Sequence, residues 1–223
     1  MSELWKATCQ MDLPVLDFQI AQQAQLPVID LENMLRLRAR IFRDRMGWDV
    51  RVENGMERDG YDELDPHYLL MKRRDGGLQG CMRLLPTLGP NMLRDVFPAL
   101  LAGRAVPADR HTWEVSRFAV DPCGPCRQHA DRLEHIRAAL HHLCGFAGRH
   151  DIHRFVMVTT PTVQRMLHQL DVEAEVCGAR TRFGIDEAVV LSVALSPANL
   201  RAVAPLHFPI LPMPAALPAR VWL

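Results

Sequence analysis

Two apolar segments joined by an Asp-Gly-Gly turn constrain the fold of this chain more than any other local feature. Residues 67–72 and 78–85 have the composition of β-strands, and Asp75, Gly76 and Gly77 lie between them. Turns of this composition favour the tight conformations that reverse the chain between two antiparallel strands. The sequence therefore predicts a β-hairpin and a sheet that contains antiparallel strands.

The spacing of apolar residues predicts the other helices and strands. Asp30 can cap a helix whose apolar residues recur at helical spacing and which ends at Gly47. The polar segment 49–66 is predicted to be a long loop. Further predicted elements are a short helix at 91–101, strands at 112–120, 154–160 and 188–195, a long helix after 121–125, and a helix at 163–170. This order indicates the α/β class, as a three-layer α/β/α sandwich with a mixed, mostly antiparallel sheet.

Length and charge limit the class of protein. The 223 residues suit one domain, predicted to have its core at about 28–195, a lead-in at 1–27 and an arm rich in Pro and Ala from Ser196. Lys plus Arg and Asp plus Glu both total 26, so we expect no nucleic-acid partner and no membrane partner. No apolar run is long enough to span a membrane, and we predict a cytoplasmic protein with reduced cysteines.

Charged residues inside predicted strands are the clearest indication of a functional site. Arg83 lies in the second strand of the hairpin, and Glu114 and Arg117 lie in the strand 112–120. Buried charges need partners, and the natural partners of Arg83 are Asp59 and Asp62 in the preceding loop. Strict alternation puts Glu114 and Arg117 on opposite faces, although a local bulge can re-aim one of them. The set indicates either a site for a zwitterionic ligand or a structural network of ion pairs.

Nine residues, in this order, match the pattern of a known family. They are Arg38, Phe42, Trp48, Asp59, Asp62, Arg83, Phe97, Glu114 and Arg117. In this arrangement the chain resembles the LuxI-type acyl-homoserine-lactone synthases, over residues 34 to about 120 and more weakly to about 195. The resemblance implies a fold similar to that of GCN5-type N-acetyltransferases, with a V-shaped split between two central strands.

The resemblance also implies a reaction with two substrates. The amine of S-adenosylmethionine attacks an acyl thioester carried by acyl carrier protein or coenzyme A. Its carboxylate then closes the lactone, so that methylthioadenosine leaves and a quorum-sensing signal is formed. S-adenosylmethionine is a substrate here, and we expect no cofactor and no metal. The oligomeric state is left open between a monomer and a weak dimer.

The resemblance, together with the chemistry of each side chain, implies the predicted roles. We assign catalysis to Glu114, Arg117 and Arg83, with Glu114 as the acceptor of the proton from the amine. The residues predicted to bind S-adenosylmethionine are Arg38, Phe42, Trp48, Asp59 and Asp62. The residues predicted to contact the thioester or the acyl chain are Phe97, Ser116, Phe118, Met157 and Thr159.

The predicted pocket for the acyl chain consists of ordinary core residues. Its predicted lining residues are Met82, Leu84, Val115, Met157, Thr159, Met166 and Leu167. In the resembled family a Thr on the inner strand accompanies 3-oxo acyl groups, and here Met157 lies near that position. The sequence therefore favours unsubstituted or 3-hydroxy chains of medium length.

Other readings of the sequence make different predictions. A GCN5-like N-acyltransferase acting on another amine would carry a Gly-rich pyrophosphate loop after the central strand, where residues 121–128 read Asp-Pro-Cys-Gly-Pro-Cys-Arg-Gln. Within that segment, Cys123 and Cys126 match a redox dithiol but are more simply two free thiols in a turn, and zinc would need two further ligands. A non-catalytic protein that binds acyl carrier protein would use exposed basic residues, such as Arg104, Arg110, Arg149 and Arg154.

Overall fold

The structure is a computed structural model that describes residues 16–122, 129–183 and 186–205. Its strands are β1 Leu16–Gln22, β2 Val52–Glu53, β3 Met56–Glu57, β4 His67–Arg73, β5 Leu78–Pro86, β6 Thr112–Val120, β7 Arg154–Thr159, β8 Glu175–Val176, β9 Thr181–Phe183 and β10 Asp186–Ala194. Its α-helices are α1 Val28–Ala39, α2 Met92–Asp95, α3 His129–Arg149, α4 Pro161–Gln169 and α5 Pro197–Ala202.

The main sheet has the order β1-β4-β5-β6-β7-β10-β8, and β9 pairs with β10. The predicted hairpin is formed by β4 and β5, and Gly76 adopts the positive φ of 81° that the turn between them requires. β6 and β7 run parallel, while the other neighbouring strands in the described ranges are antiparallel. The prediction of a mixed, mostly antiparallel sheet is therefore confirmed.

Helices cover both faces of this sheet. On one face α1 packs on β4 and β5 through Met34, Leu37 and Tyr68. On the opposite face α3 and α4 pack on the central strands through residues such as Leu143 and Leu167. The arrangement is the three-layer α/β/α sandwich that the order of elements predicted.

The two central strands separate after a short paired region. β6 and β7 pair at Thr112 with Arg154, at Trp113 with Phe155, and at Glu114 with Val156. Beyond Glu114 the two strands continue without paired residues, which opens a V-shaped split between them. The split expected from the family resemblance is therefore present.

Several elements differ from the predictions. β1 lies within the predicted lead-in and pairs antiparallel with β4 as the edge strand of the sheet. Asp30 does not cap α1, because Pro27 occupies the N-cap position and the Asp30 carboxylate pairs with Lys72 at 2.6 Å. α5 lies in the predicted arm, and its N-cap is Ser196. The predicted loop 49–66 contains β2, β3 and a 3₁₀ helix, Gly60–Leu64.

Two further observations concern the rest of the chain. Cys123 and Cys126, for which we predicted a turn with free thiols, lie outside the described residues. Among the helices that the structure describes, none is long and apolar enough to cross a membrane.

Candidate active site

A network of buried ion pairs begins on α1 with Arg38, whose side chain has an exposure of 0%. The Arg38 Nε donates to Glu57 Oε2 at 2.5 Å, while Nη1 and Nη2 donate to the two oxygens of Asp62 at 2.8 and 2.9 Å. The bidentate contact matches the planar guanidinium to the planar carboxylate. Arg38 thus ties the loop between β3 and β4 to the first helix.

Hydrogen bonds within residues 59–62 determine how the Asp59 and Asp62 carboxylates lie relative to one another. Asp59 is the N-cap of the 3₁₀ helix Gly60–Leu64 and accepts a hydrogen bond from the Tyr61 N–H at 3.0 Å. The Asp62 carboxylate in turn accepts the Asp59 N–H at 2.9 Å. This reciprocal capping box holds the two carboxylates in place relative to one another through hydrogen bonds that do not involve the arginines.

Arg83 on β5 joins these carboxylates to the central strands. Its Nη1 lies 2.5 Å from Asp59 Oδ1 and 2.9 Å from Asp62 Oδ1, and its Nε donates to Ser116 Oγ at 3.1 Å. Asp62 also accepts a hydrogen bond from the Tyr68 hydroxyl. Burial opposes ionisation of Asp62, but the hydrogen bonds and charge of Arg38, together with the charge of Arg83, lower the pKa of this carboxyl well below its usual range. The predicted pairing of Arg83 with Asp59 and Asp62 is confirmed.

Arg117 completes the network because β6 contains a bulge. The pairing of β5 with β6 shifts between Cys81 and Arg83, and Arg117 has a φ of 52°. The bulge turns Arg117 to the face that carries Arg83, where its Nη2 lies 3.0 Å from Glu57 and 2.6 Å from Asp59. Strict alternation would have put Arg117 on the opposite face, so the bulge decides its position.

Glu114 is buried on the same face but has other partners. Its two carboxylate oxygens accept hydrogen bonds from the backbone N–H groups of Met92, at 3.1 Å, and Leu93, at 2.6 Å. Burial raises the pKa of Glu114, while these two N–H groups and the nearby arginines oppose the shift. A purely structural pairing of Glu114 with Arg38 or Arg117 is the alternative that the sequence allows, but in the structure Glu114 anchors the first residues of α2.

Sequence reasoning missed two members of this site. Glu57 is fully buried and accepts hydrogen bonds from both Arg38 and Arg117. The sequence pattern did not distinguish it from the other acidic residues of the polar segment 49–66. Met92 places its Sδ 3.2 Å from Arg83 Nη2 and 3.4 Å from Arg117 Nη1. No charge pattern distinguishes a methionine of this kind, so its role emerges only from tertiary contacts.

A cavity of about 550 Å³ extends from the ion pairs into the split between β6 and β7. One end is lined by Phe42 and Trp48, whose rings stack with centroids 5.4 Å apart. Phe42 lies in a π-helix, Arg40–Arg45, that continues α1, and π-helical turns occur often at functional sites. The Arg117 guanidinium lies 5.6 Å from the centre of the Phe42 ring.

Most of the predicted site residues line this cavity. They are Phe42, Trp48, Phe97, Glu114, Ser116, Arg117, Phe118, Met157 and Thr159. Arg38, Asp59, Asp62 and Arg83 lie behind the lining, where they hold one another. Six of the seven residues predicted for the acyl pocket also line the cavity, and the seventh, Leu84, is packed in the core instead.

Comparisons with known proteins assign this geometry to a family. The family model for autoinducer synthases matches residues 22–203. The acyl-homoserine-lactone synthase of Pseudomonas aeruginosa is 37% identical over 182 residues, which cover 80% of this chain and 89% of that protein. The crystal structure of the AHL synthase LasI superposes with a TM-score of 0.77 at 36% identity and covers 86% of this chain and 95% of that chain.

Two further structures place the chain among related acyltransferases. BjaI, a coenzyme-A-dependent acyl-homoserine lactone synthase solved with SAM and isopentyl-CoA, has a TM-score of 0.74 at 25% identity and covers 85% of this chain and 88% of that chain. An acyl-CoA N-acyltransferase from Pseudomonas aeruginosa, with a TM-score of 0.53 at 16% identity, covers 81% of this chain and 100% of that chain and shows the shared fold alone. The chain therefore belongs to the autoinducer synthase family, and it is an acyltransferase of the acyl-homoserine-lactone synthase type.

Proposed function

We propose that the cavity holds S-adenosylmethionine at its polar end and the acyl thioester in the split between β6 and β7. The observation that carries this proposal is the continuity of one cavity from Glu114 and Arg117 to the apolar residues Met157 and Leu167. The BjaI structure with SAM and isopentyl-CoA supports it, because that related synthase binds an equivalent pair of molecules.

The charges at the polar end suit a substrate that carries a sulfonium. Arg38, Arg83 and Arg117 balance the carboxylates of Glu57, Asp59 and Asp62. The Glu114 carboxylate then leaves one negative charge beside the cavity when it is ionised. A cation over the faces of Phe42 and Trp48 would gain about 0.5–2 kcal/mol from the rings.

The first chemical step is acyl transfer. An α-amine has a pKa of about 8, so it must lose a proton before it attacks the thioester carbonyl. Glu114 takes that proton directly or through a water; the new C–N bond forms, the C–S bond of the thioester breaks, and the thiol leaves. Because burial raises the pKa of Glu114, its carboxylate is a stronger base than that of an exposed glutamate.

The second step closes the lactone. A carboxylate oxygen of the methionyl group attacks the carbon next to the sulfonium, a C–O bond forms, and the C–S bond breaks to release methylthioadenosine. The step needs mainly correct placement of the two reacting atoms. Arg117, whose side chain lines the cavity with an exposure of 11%, is the arginine available to orient that carboxylate.

The buried residues of the ion-pair network position the residues that lie closer to the cavity. Arg38 and Asp62 have side-chain exposures of 0%, so neither reaches a ligand in the cavity. Arg83 is equally buried, and it joins Asp59 and Ser116 to the network. We therefore assign these three residues to holding Asp59, Ser116 and Arg117 in place, a narrower role than the contact with substrate that the sequence suggested.

The decisive experiment supplies purified protein with S-adenosylmethionine and a panel of acyl donors on acyl carrier protein and on coenzyme A. Mass spectrometry then detects the lactone and methylthioadenosine. We expect both products with at least one donor, preferentially unsubstituted or 3-hydroxy chains of medium length. Absence of methylthioadenosine with every donor would contradict the proposal, and acylation of another amine in its place would favour a GCN5-like N-acyltransferase.

Location and assembly are also proposals. We propose that the enzyme works in the cytoplasm as a monomer or a weak dimer. Free thiols at Cys81, Cys144 and Cys177 are compatible with a reducing compartment. Light scattering on the purified chain over a range of concentrations tests the assembly.

A further inference from the structure

Met92, the first residue of α2, places its thioether sulfur between two guanidinium groups of the ion-pair network. Its Sδ lies 3.2 Å from Arg83 Nη2 and 3.4 Å from Arg117 Nη1, and Met92 lines the cavity. Two other nitrogens of Arg117 face carboxylates, since Nε donates to Glu57 and Nη2 lies 2.6 Å from Asp59. Arg117 Nη1, by contrast, donates to a neutral sulfur, which is a weak acceptor.

The backbone of Met92 is held from both sides, whereas its side chain is half-buried at the edge of the cavity. The Met92 N–H donates to Glu114 Oε1 at 3.1 Å, and the Met92 carbonyl accepts the N–H groups of Val96, at 2.9 Å, and Phe97, at 3.0 Å. A methionine side chain is unbranched and has three rotatable bonds. The sulfur can therefore leave the two guanidinium groups while the backbone of α2 stays in place.

A carboxylate in the cavity would compete with this sulfur for Arg117. Hydrogen bonds between a guanidinium and a carboxylate are shorter and roughly twice as strong as those between neutral groups, and a thioether is a weaker acceptor still. The proposed function, on which this inference rests, brings the methionyl carboxylate of S-adenosylmethionine to this end of the cavity. We propose that Met92 is an exchangeable partner of Arg117, whose sulfur occupies the place of that carboxylate in the free enzyme and withdraws when the substrate binds.

The exchange makes Met92 a residue that distinguishes ligands by their carboxylate. A ligand that carries only the adenosine part leaves the sulfur on Arg117, whereas a ligand with the carboxylate replaces a weak hydrogen bond by a charge-assisted one. The affinity therefore depends on the acceptor at position 92 only when the ligand carries the carboxylate.

The exchange also has a consequence for product release. Closing the lactone converts the methionyl carboxylate into an ester, and methylthioadenosine carries no carboxylate. Neither product therefore offers Arg117 an ionised acceptor, and the Met92 sulfur returns to Arg117 Nη1 as the products leave.

Calorimetric binding of three ligands to the full chain, without an acyl donor, tests the exchange. S-adenosylmethionine and S-adenosylhomocysteine carry the carboxylate, and methylthioadenosine lacks it. Met92→Gln supplies an amide oxygen that holds Arg117 more firmly, so it should weaken binding of the first two ligands by about tenfold. Met92→Leu, which has a similar volume and no acceptor, should bind both about twofold more tightly. Methylthioadenosine should bind both variants as tightly as it binds the parent.

Met56→Gln is the matched control, because Met56 is a partly buried methionine on β3 that lies outside the cavity lining, and it should bind all three ligands as the parent does. Circular dichroism establishes that each variant is folded. Equal losses for S-adenosylmethionine and methylthioadenosine in Met92→Gln, or no loss for S-adenosylmethionine, would overturn the exchange. Failure of the parent to bind any of the three would contradict the proposed function itself, and the exchange with it. Because no acyl donor is present, these affinities are independent of the lactone assay.

Discussion

At the scale of single residues, the site is a set of charges that stabilise one another. Arg38 contacts Glu57 and Asp62, and Arg83 contacts Asp59 and Asp62. Removing any one member leaves an uncompensated charge among the buried side chains that remain, and such a charge costs several kcal/mol. We therefore expect Arg83→Ala to lower the stability of the protein as well as its activity. A loss of activity in this variant alone does not show that Arg83 is a catalytic residue.

We predict that Arg38→Ala lowers the free energy of unfolding by about 3–5 kcal/mol, because it removes a hydrogen-bonded partner from both Glu57 and Asp62 and leaves one uncompensated negative charge in the buried network. Arg36→Ala is the control, since Arg36 pairs with Glu32 on the surface of the same helix, where ion pairs contribute about 0–1 kcal/mol. Denaturant unfolding of the two variants measures the difference. A loss below about 1 kcal/mol for Arg38→Ala would contradict the network.

We predict that Glu114→Gln lowers the rate of methylthioadenosine release by about 10²-fold or more, because glutamine cannot accept the proton of the amine. The amide can still accept from one of the Met92 and Leu93 N–H groups, so the loss of stability should stay at about 1–3 kcal/mol. Glu53→Gln, at a surface pair with Arg51, should keep full activity. Full activity in Glu114→Gln would remove Glu114 from the role of base.

The raised pKa of Glu114 predicts the acidic limb of the pH profile of kcat/KM. The carboxylate form accepts the proton, so activity is present above the pKa and is lost as the pH falls through it. Because burial raises that pKa above the usual glutamate value of 4.5, the loss should begin at a higher pH than for an exposed glutamate. An acidic limb that stays unchanged in Glu114→Gln, measured on its residual activity, would assign the limb to another group.

At the scale of elements, local departures from regular geometry build the cavity. The bulge in β6 turns Arg117 toward the ion pairs and leaves Phe118 among the apolar residues of the opposite face. The π-helix after α1 carries Phe42, which stacks on Trp48 at the polar end. Regular strand and helix geometry would not place these side chains together.

A close backbone contact holds the loop between β8 and β9 against the 3₁₀ helix Pro98–Leu101. A Cβ built on Gly178 would lie 1.9 Å from the Leu100 carbonyl oxygen, whereas a Cβ on Gly148 of α3 meets no atom within 4 Å. We predict that Gly178→Ala lowers the midpoint temperature of unfolding, since one of the two backbone segments must move. Gly148→Ala should raise it, because alanine is favoured over glycine in helices by about 0.5–1 kcal/mol. Changes of the same sign in both variants would contradict this reading.

At the scale of the whole molecule, one sheet joins the catalytic face and the apolar end of the cavity. The separation of β6 from β7 lets the cavity pass from the side of α1 and α2 to the side of α3 and α4. Ring contacts support the paired end of these strands, where His67 and Trp113 pack around Phe146.

His67 makes this packing sensitive to pH. Burial, and then the charge of His150, lower the pKa of His67 below 6.5, while Asp65 opposes the shift. A depressed histidine pKa means that the folded state binds fewer protons than the unfolded state. Its stabilising contribution is therefore complete above about pH 6.5 and is lost as the pH falls through the unfolded-state pKa toward the folded one.

We predict that the free energy of unfolding decreases between pH 7.5 and pH 5.5, and that His67→Gln reduces the slope. Urea titrations at a series of pH values provide the measurement. His168→Gln, an exposed residue on α4, serves as the control and should leave the slope unchanged. An unchanged slope in His67→Gln would show that other groups cause the dependence on pH.

The sequence by itself determined the hairpin, the order of the elements, the class of the fold and the family. It also identified the pairing of Arg83 with Asp59 and Asp62, because charges predicted within strands need nearby partners. Only the tertiary structure decided which face Arg117 occupies, that Glu57 and Met92 belong to the site, and that Glu114 binds the backbone of α2. The reason is physical: periodicity and composition report interactions between near neighbours in the chain, whereas the bulge in β6 and the contacts of Met92 arise from the packing of segments that are distant in the sequence.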